Sequence, residues 1–193
     1  MSAPVADSRP GQGWDDAVRL WEATDPPEGC KVEIVDEIVV VSLPPSDDHN
    51  DIAETVQRRL CSVIPENWGI YQRLAVALPY RCGMYVPDLL VVCRDVLGGG
   101  NFIPAGEAAL VVEITSKLNA NHDRVEKVAG YAQAGVPLYL LIDRWAPGGP
   151  TVTLYGEPEG GVYRTLHTDA FGAAVQLPEP FGVLIETADF PRG

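Results

Sequence analysis

The chain is short of positive charge, of long apolar runs and of paired cysteines, and each shortage removes a class of protein. Its 193 residues carry 14 Lys and Arg against 27 Asp and Glu, a formal charge of −13. That excludes a generic basic nucleic-acid coat, which depends on Lys and Arg to neutralise phosphates. No apolar stretch approaches the roughly 20 residues of a membrane span. The longest is of the kind seen at 138–142, which suits a buried strand. Cys30, Cys61, Cys82 and Cys93 stand singly, without the Cys-x-x-Cys spacing of zinc or redox motifs. They are expected to be small buried residues in a reducing compartment. Residues 1–10 lack a basic start followed by an apolar stretch, so no secretion signal is expected and the expected location is the cytoplasm.

What is present is core-forming material. At 46% hydrophobic and 21% charged, the composition predicts one compact domain over 13–193 behind a flexible tail over 1–12 rich in Pro and Gly. The acidity is uneven. Residues 1–66 hold 14 acids against 5 bases, and the remainder holds 13 against 9. A polyanion meets long-range repulsion at such a surface unless a local basic patch offsets it. The candidate patch is Lys117, His122, Arg124 and Lys127.

Periodicity and breakers predict the order of elements. Residues 14–24 read as a short amphipathic helix with Val18, Leu20 and Trp21 apolar, stopped by Pro26 and Pro27. Runs at 32–34 and 38–42 flank Asp36 and Glu37 and predict a hairpin. Ser46, Asp47 and Asp48 supply a cap and first-turn acids for a helix with the stripe Ile52, Val56, Leu60. His49 falls on that face. Strands are expected at 69–78, 85–93, 109–115 and 138–143, with a second main helix at 121–134 stopped by Gly135. Gly98, Gly99 and Gly100 read as a plain loop, since neither a helix signal nor a Lys-Ser/Thr pair follows. Strands at 151–155 and 162–167, with short segments near Val175 and Leu184, complete a strand-rich C-terminal part.

Two carboxylates stand out because they interrupt apolar runs: Asp88 after Pro87, and Glu113 within Ala-Ala-Leu-Val-Val-Glu-Ile-Thr. A buried acid must be paired, protonated or bound to a cation. Either each one caps a turn or meets an arginine, or the two together hold a divalent ion. Alternation puts Glu113 and Thr115 on one face of their strand and Ile114 on the other. A hard ion such as magnesium needs only one or two carboxylates plus water and a phosphate oxygen, and it activates water against a phosphoryl group. Two lysines could complete such a site. Lys117 requires the strand to stay extended past Glu113; Lys127 lies on the helix between Asp123 and Tyr131 at i−4 and i+4. The plain reading of that trio is a helix-surface ladder, with Tyr131 in packing.

In order, Glu33-Ile-Val-Asp, Pro44-Pro-Ser followed by His49, Val86-Pro-Asp88, Val111-Val-Glu113-Ile-Thr-Ser116, Asp123-x3-Lys127-x3-Tyr131, Gly135-Val-Pro and Tyr139-Leu-Leu-Ile-Asp143 resemble the Uma family of restriction-endonuclease-like proteins, within the PD-(D/E)XK nuclease superfamily. The resemblance spans about residues 30–143. It implies an α/β restriction-endonuclease-like core, a mixed β-sheet flanked by α-helices, and hydrolysis of DNA phosphodiesters with Mg2+ or Mn2+. It makes Asp88, Glu113 and the carbonyl of Ile114 the metal ligands and Lys127 the catalytic lysine, with Thr115 standing where the wider superfamily keeps its lysine. Glu33 becomes the acid from the early part of the fold, while His49 and Ser116 line the cleft, with Lys117 and Arg124 as further substrate contacts. Lys117 stands where the family usually has proline and Glu37 where a turn glycine is usual. A symmetric homodimer would concentrate the few basic residues on DNA. The alternatives are a non-catalytic interaction or regulatory protein that keeps the fold, and a hydrolase of a small nucleotide phosphodiester.

Overall fold

The computed structural model describes residues 12–117 and 119–193. The tail expected over 1–12 lies outside them apart from Gln12, which opens helix α1 (Gln12–Ala23). The predicted hairpin forms from β1 (Lys31–Val35) and β2 (Ile38–Ser42), paired from Lys31–Ser42 to Val35–Ile38. Its turn residues Asp36 and Glu37 take φ of 48° and 68°. That left-handed pair matches the strand twist but is costly for residues other than Gly, Asn or Asp. Helix α2 (Asp47–Cys61) begins at the predicted Ser46 cap, whose Oγ accepts the His49 N–H at 3.4 Å. Its buried stripe is the predicted Ile52, Val56 and Leu60, with His49 on the same side.

Two predicted strands split. The run 69–78 becomes β3 (Trp68–Tyr71) and β4 (Ala75–Leu78); the run 85–93 becomes β5 (Gly83–Tyr85) and β6 (Leu89–Cys93). Each run leaves one sheet and enters another. One sheet has the order β2-β1-β5-β4-β7, with β7 (Phe102–Pro104) added parallel to β4. The other has the order β11-β10-β9-β8-β6-β3, containing β8 (Ala108–Ile114), β9 (Leu138–Asp143), β10 (Thr151–Glu159) and β11 (Val162–Ala170). Only β8 and β9 run parallel in this second sheet. The β8–β9 connection carries α3 (Ala120–His122), a π-helical turn (Asp123–Lys127) and α4 (Val128–Gln133). The predicted helix at 121–134 is therefore present, wound one residue wider at its middle. It ends at Gly135, whose φ of 77° a side chain would resist.

The six-stranded sheet is covered on both faces, which explains its nearly continuous apolar strands. Leu110, Val112 and Ile114 of β8 meet α2 and the small β12 (Ala174–Gln176) and β13 (Leu184–Glu186) pair. Val111, Tyr139 and Leu141 face α4 and the five-stranded sheet. Gly130 permits that approach: a Cβ there would sit 3.1 Å from Leu78 and 3.2 Å from Tyr85 side-chain carbons.

Three local expectations change. In α1 the core position goes to Ala17, while Leu20 is 58% exposed, because Trp14, Val18 and Trp21 already fill the space over the five-stranded sheet. All four cysteines are free, but only Cys30 is buried; Cys61 closes α2 on its solvent side. The supposed basic patch does not exist as a surface: Lys127 is 2% exposed, and Arg124 is bound to Asp143. Among the described residues no helix is long and apolar enough to cross a membrane.

Candidate active site

The site forms where the chain steps between the two sheets. Residues 86–88 carry it from β5 to β6. Pairing of Leu89 with Val112 sets Asp88 opposite Glu113 across neighbouring strands, so both carboxylates rise from one face. Glu33, two residues from Lys31 along β1, accepts the Val86 N–H on Oε1 at 2.8 Å and ties the first sheet to the crossing. Asp88 Oδ2 accepts the Ile114 N–H at 2.7 Å and ties the crossing to β8. Its Oδ1 is bonded by the Lys31 ammonium and lies 3.2 Å from His49 Nε2.

Glu113 points into the α4 layer. Its Oε1 accepts from Lys127 Nζ at 2.9 Å and from the Tyr131 hydroxyl at 2.8 Å. Lys127 Nζ also lies 3.3 Å from Glu33 Oε1 and 3.2 Å from Asp123 Oδ1. The π-helical turn and the helix after it thus turn Asp123, Lys127 and Tyr131 inward, and the surface-ladder reading of the three is overturned. Asp123 meets Lys127 alone, by the 3.2 Å ion pair at Oδ1, and its Oδ2 has no hydrogen-bond partner among the described residues.

The cluster is unbalanced. Glu33, Asp88, Glu113 and Asp123 face Lys31 and Lys127, four acids against two ammonium groups, with the His49 imidazole beside Asp88. Burial would raise the Asp88 pKa, but Lys31 and His49 outweigh it and hold the carboxyl well below its usual range. Glu113 bears the deficit: burial, with Asp88 and Asp123 adding repulsion, outweighs Lys127 and pushes it up to about 8. Burial likewise raises Asp123. Lys127 is raised as well: burial disfavours its charge, but Glu113, Glu33 and Asp123 overcome that and hold the ammonium well above its ordinary value. His122 is lowered by burial and by Lys127.

A cleft of about 560 Å3 opens onto this cluster, lined at its floor by Lys31, Glu33, Asp88, Glu113 and Lys127. His49, Ser116, Lys117 and Trp145 form part of its walls. Lys117 does not approach Glu113 along an extended strand, because β8 ends at Ile114 and Ser116 caps a turn by bonding Asn119 Oδ1. Its ammonium lies 5.8 Å from the centre of the Trp145 ring. Thr115 leaves the Glu113 row for the same reason and donates to Asp143 Oδ1 at 2.9 Å. Arg124 is not brought to the cleft. It binds both oxygens of Asp143, at 2.5 and 2.9 Å, and the Trp145 carbonyl.

The structure therefore brings together Glu33, His49, Asp88, Glu113, Ile114 and Lys127, with Ser116 and Lys117 at the rim. Lys31 and the inward role of Asp123 escaped the sequence reading. The available signals were the two-residue spacing of Lys31 and Glu33 on a strand and the four-residue spacing of Asp123 and Lys127.

No group of three or more His, Cys, Asp or Glu side chains close enough to hold a metal ion occurs among the described residues. The donors nevertheless fit a hard divalent ion that keeps much of its water. Asp88 and Glu113 stand opposite each other, four acids meet two ammonium groups, and Asp123 Oδ2 has no hydrogen-bond partner among the described residues.

A mixed sheet with α2 against one face and α4 and the second sheet against the other, with paired acids at the head of β6 and on β8 and a helical lysine behind them, defines a restriction-endonuclease-like α/β protein. The same fold is found in the crystal structure of a "putative nuclease belonging to DUF820" from Anabaena variabilis ATCC 29413. That structure is 18% identical, with a TM-score of 0.63 over 88% of this chain and 90% of that one. The chain belongs to the Uma2 family, described as "Putative restriction endonuclease", whose model matches residues 15–188. No curated protein matches it.

Proposed function

We propose that the protein is a metal-dependent endonuclease that hydrolyses DNA phosphodiester bonds, with residues 13–193 acting as one unit in the cytoplasm. The observation that carries this reading is a buried cluster of four acids and two ammonium groups at the floor of an open cleft, a formal surplus that a proton held by Glu113 partly offsets when no ion is bound. A divalent cation offsets such a surplus without a proton. Asp88, Glu113 and the Ile114 carbonyl would hold Mg2+ or Mn2+. The ion supplies polarisation of the phosphoryl group and a lowered pKa for the attacking water.

The remaining work falls to side chains. Lys127 keeps a fixed positive charge against Glu113 and favours its ionised form, and Tyr131 holds the same oxygen. Glu33 fixes the crossing that carries Asp88. His49 orients the Asp88 carboxylate from α2. Ser116 and Lys117 are placed to contact substrate at the rim, with Arg124 supporting that rim through Asp143 and the Trp145 carbonyl. A net charge of −13 makes affinity for non-specific duplex low and steeply salt-dependent. A homodimer that sums the basic residues of two copies offsets this.

The test is calorimetric titration of Mn2+ into wild type and Glu113→Ala, alone and with DNA, followed by cleavage assays. Binding by wild type and its loss in the variant is the expected result. Absence of binding by wild type under both conditions overturns the metal-dependent reading and favours a fold kept for interaction.

A further inference from the structure

Lys31 and Lys127 both sit at the floor of the cleft, but they are held differently. Lys127 is 2% exposed and surrounded by Glu33, Glu113 and Asp123 within 3.3 Å, so withdrawing it would leave three carboxylates facing one another. Lys31 is 19% exposed at its side chain and bonds one carboxylate, Asp88, plus the Val86 carbonyl at 3.3 Å. Asp88 would keep the Ile114 N–H and His49 if Lys31 left.

Lys31 also has somewhere to go. Lys31, Asp88 and His49 line both the main cleft and a second cavity of about 290 Å3. Asn50 and Gln72 also line that second cavity. Gln72 donates from Nε2 to Gln57 Oε1 at 2.6 Å, and its side-chain carbonyl oxygen is of the kind that accepts from an ammonium. Arg73 lines the cavity too, engaged with the Gly29 carbonyl at 3.0 Å.

We propose that Lys31 is the resident counter-ion of Asp88 and competes with a divalent ion for the same carboxylate oxygen, so that ion entry and lysine release are one event. The proposal rests on the metal-site reading above and adds a regulation to it. Two cations cannot share Oδ1 at contact distance without strong repulsion, so whatever the lysine contributes to holding Asp88 is subtracted from the ion's affinity. Lys31 is a positioning residue here. It sets the orientation and availability of Asp88, whereas Lys127 stays bound throughout.

The experiment is Mn2+ titration calorimetry on the full chain in four forms, wild type, Lys31→Met, Lys31→Gln and Lys31→Arg, each checked by thermal melting for a cooperative transition. Lys31→Met keeps the apolar stem and removes the charge; Lys31→Gln guards against a failure of the first to fold. Both are expected to bind Mn2+ about tenfold or more tighter than wild type, while Lys31→Arg, still cationic, remains near wild type. Equal affinity in wild type, Lys31→Met and Lys31→Gln overturns the proposal and leaves the metal site standing. Absence of binding in every form overturns both.

Discussion

Two charged clusters lie on either side of the end of β8, and they are built on opposite principles. In one, Asp143 takes two hydrogen bonds from Arg124, one from Thr115 and one from the Trp145 N–H, while Arg144 reaches Asp48 at 2.6 Å. Two acids meet two arginines, and Asp143 is fully satisfied. In the other, four acids meet two lysines, and Asp123 shares Lys127 with Glu33 and Glu113 while its Oδ2 has no hydrogen-bond partner among the described residues. Balanced ion pairs with planar arginines hold a structure together. An unbalanced set, open to a cleft, has capacity for a further cation. The difference separates a strut from a candidate site.

The largest test of that contrast is Lys127→Met. Removing the cation from the unbalanced cluster leaves Glu33, Glu113 and Asp123 buried without a counter-ion, and the expected loss is about 3–5 kcal/mol of unfolding free energy at pH 7. Much of it should return below pH 5, as those acids take up protons. Denaturant unfolding at both pH values measures it, and an unchanged stability would show that the cluster is not acting as a unit.

Next is the pH dependence. Glu113 is raised to about 8 from 4.5, so between those values the native state binds more protons than the unfolded state. The contribution of Glu113 to stability is therefore fully present below about pH 4.5 and is lost as pH rises towards about 8, an effect on the order of a few kcal/mol. Asp88 acts in the opposite sense, contributing stability above the ordinary carboxylate range that is lost on acidification. Glu113→Gln should flatten the decline between about pH 5 and 8; persistence of the full slope would assign it to another group.

The smallest effect belongs to the balanced cluster. Arg124→Met should cost about 1–3 kcal/mol through the unpaired Asp143 and leave Mn2+ affinity within about twofold of wild type. A large change in affinity would mean that the two clusters are coupled.

The sequence made the acids of the site legible because charge inside an apolar strand is conspicuous: Asp88 and Glu113 could be singled out from their neighbours alone. Ser46 and the Asp36-Glu37 turn were legible for a similarly local reason, since caps and hairpin turns depend on a few adjacent residues. The splitting of 69–78 and 85–93 was not. Apolar strands destined for two sheets read as one run, and only Arg73 and Pro87 mark the places where they part. The inward face of Asp123 and Lys127 depends on a π-helical turn that a 3.6-residue period does not contain. Lys31 was hidden because its partner lies 57 positions away. The Arg124–Asp143 bond, across 19 positions, was hidden for the same reason.

The acids at the crossing between the sheets are also fasteners: Glu33 accepts the Val86 amide and Asp88 accepts the Ile114 amide. A descendant of this chain that abandoned chemistry would still need those acceptors to keep its two sheets joined. Gln at 33 and Asn at 88 retain a carbonyl oxygen for each amide while discarding the charge, whereas Ala leaves a buried N–H without a partner. Loss of function in such a lineage should therefore leave an amide signature at these two positions, and a carboxylate retained at both marks a chain in which the charge itself is still in use.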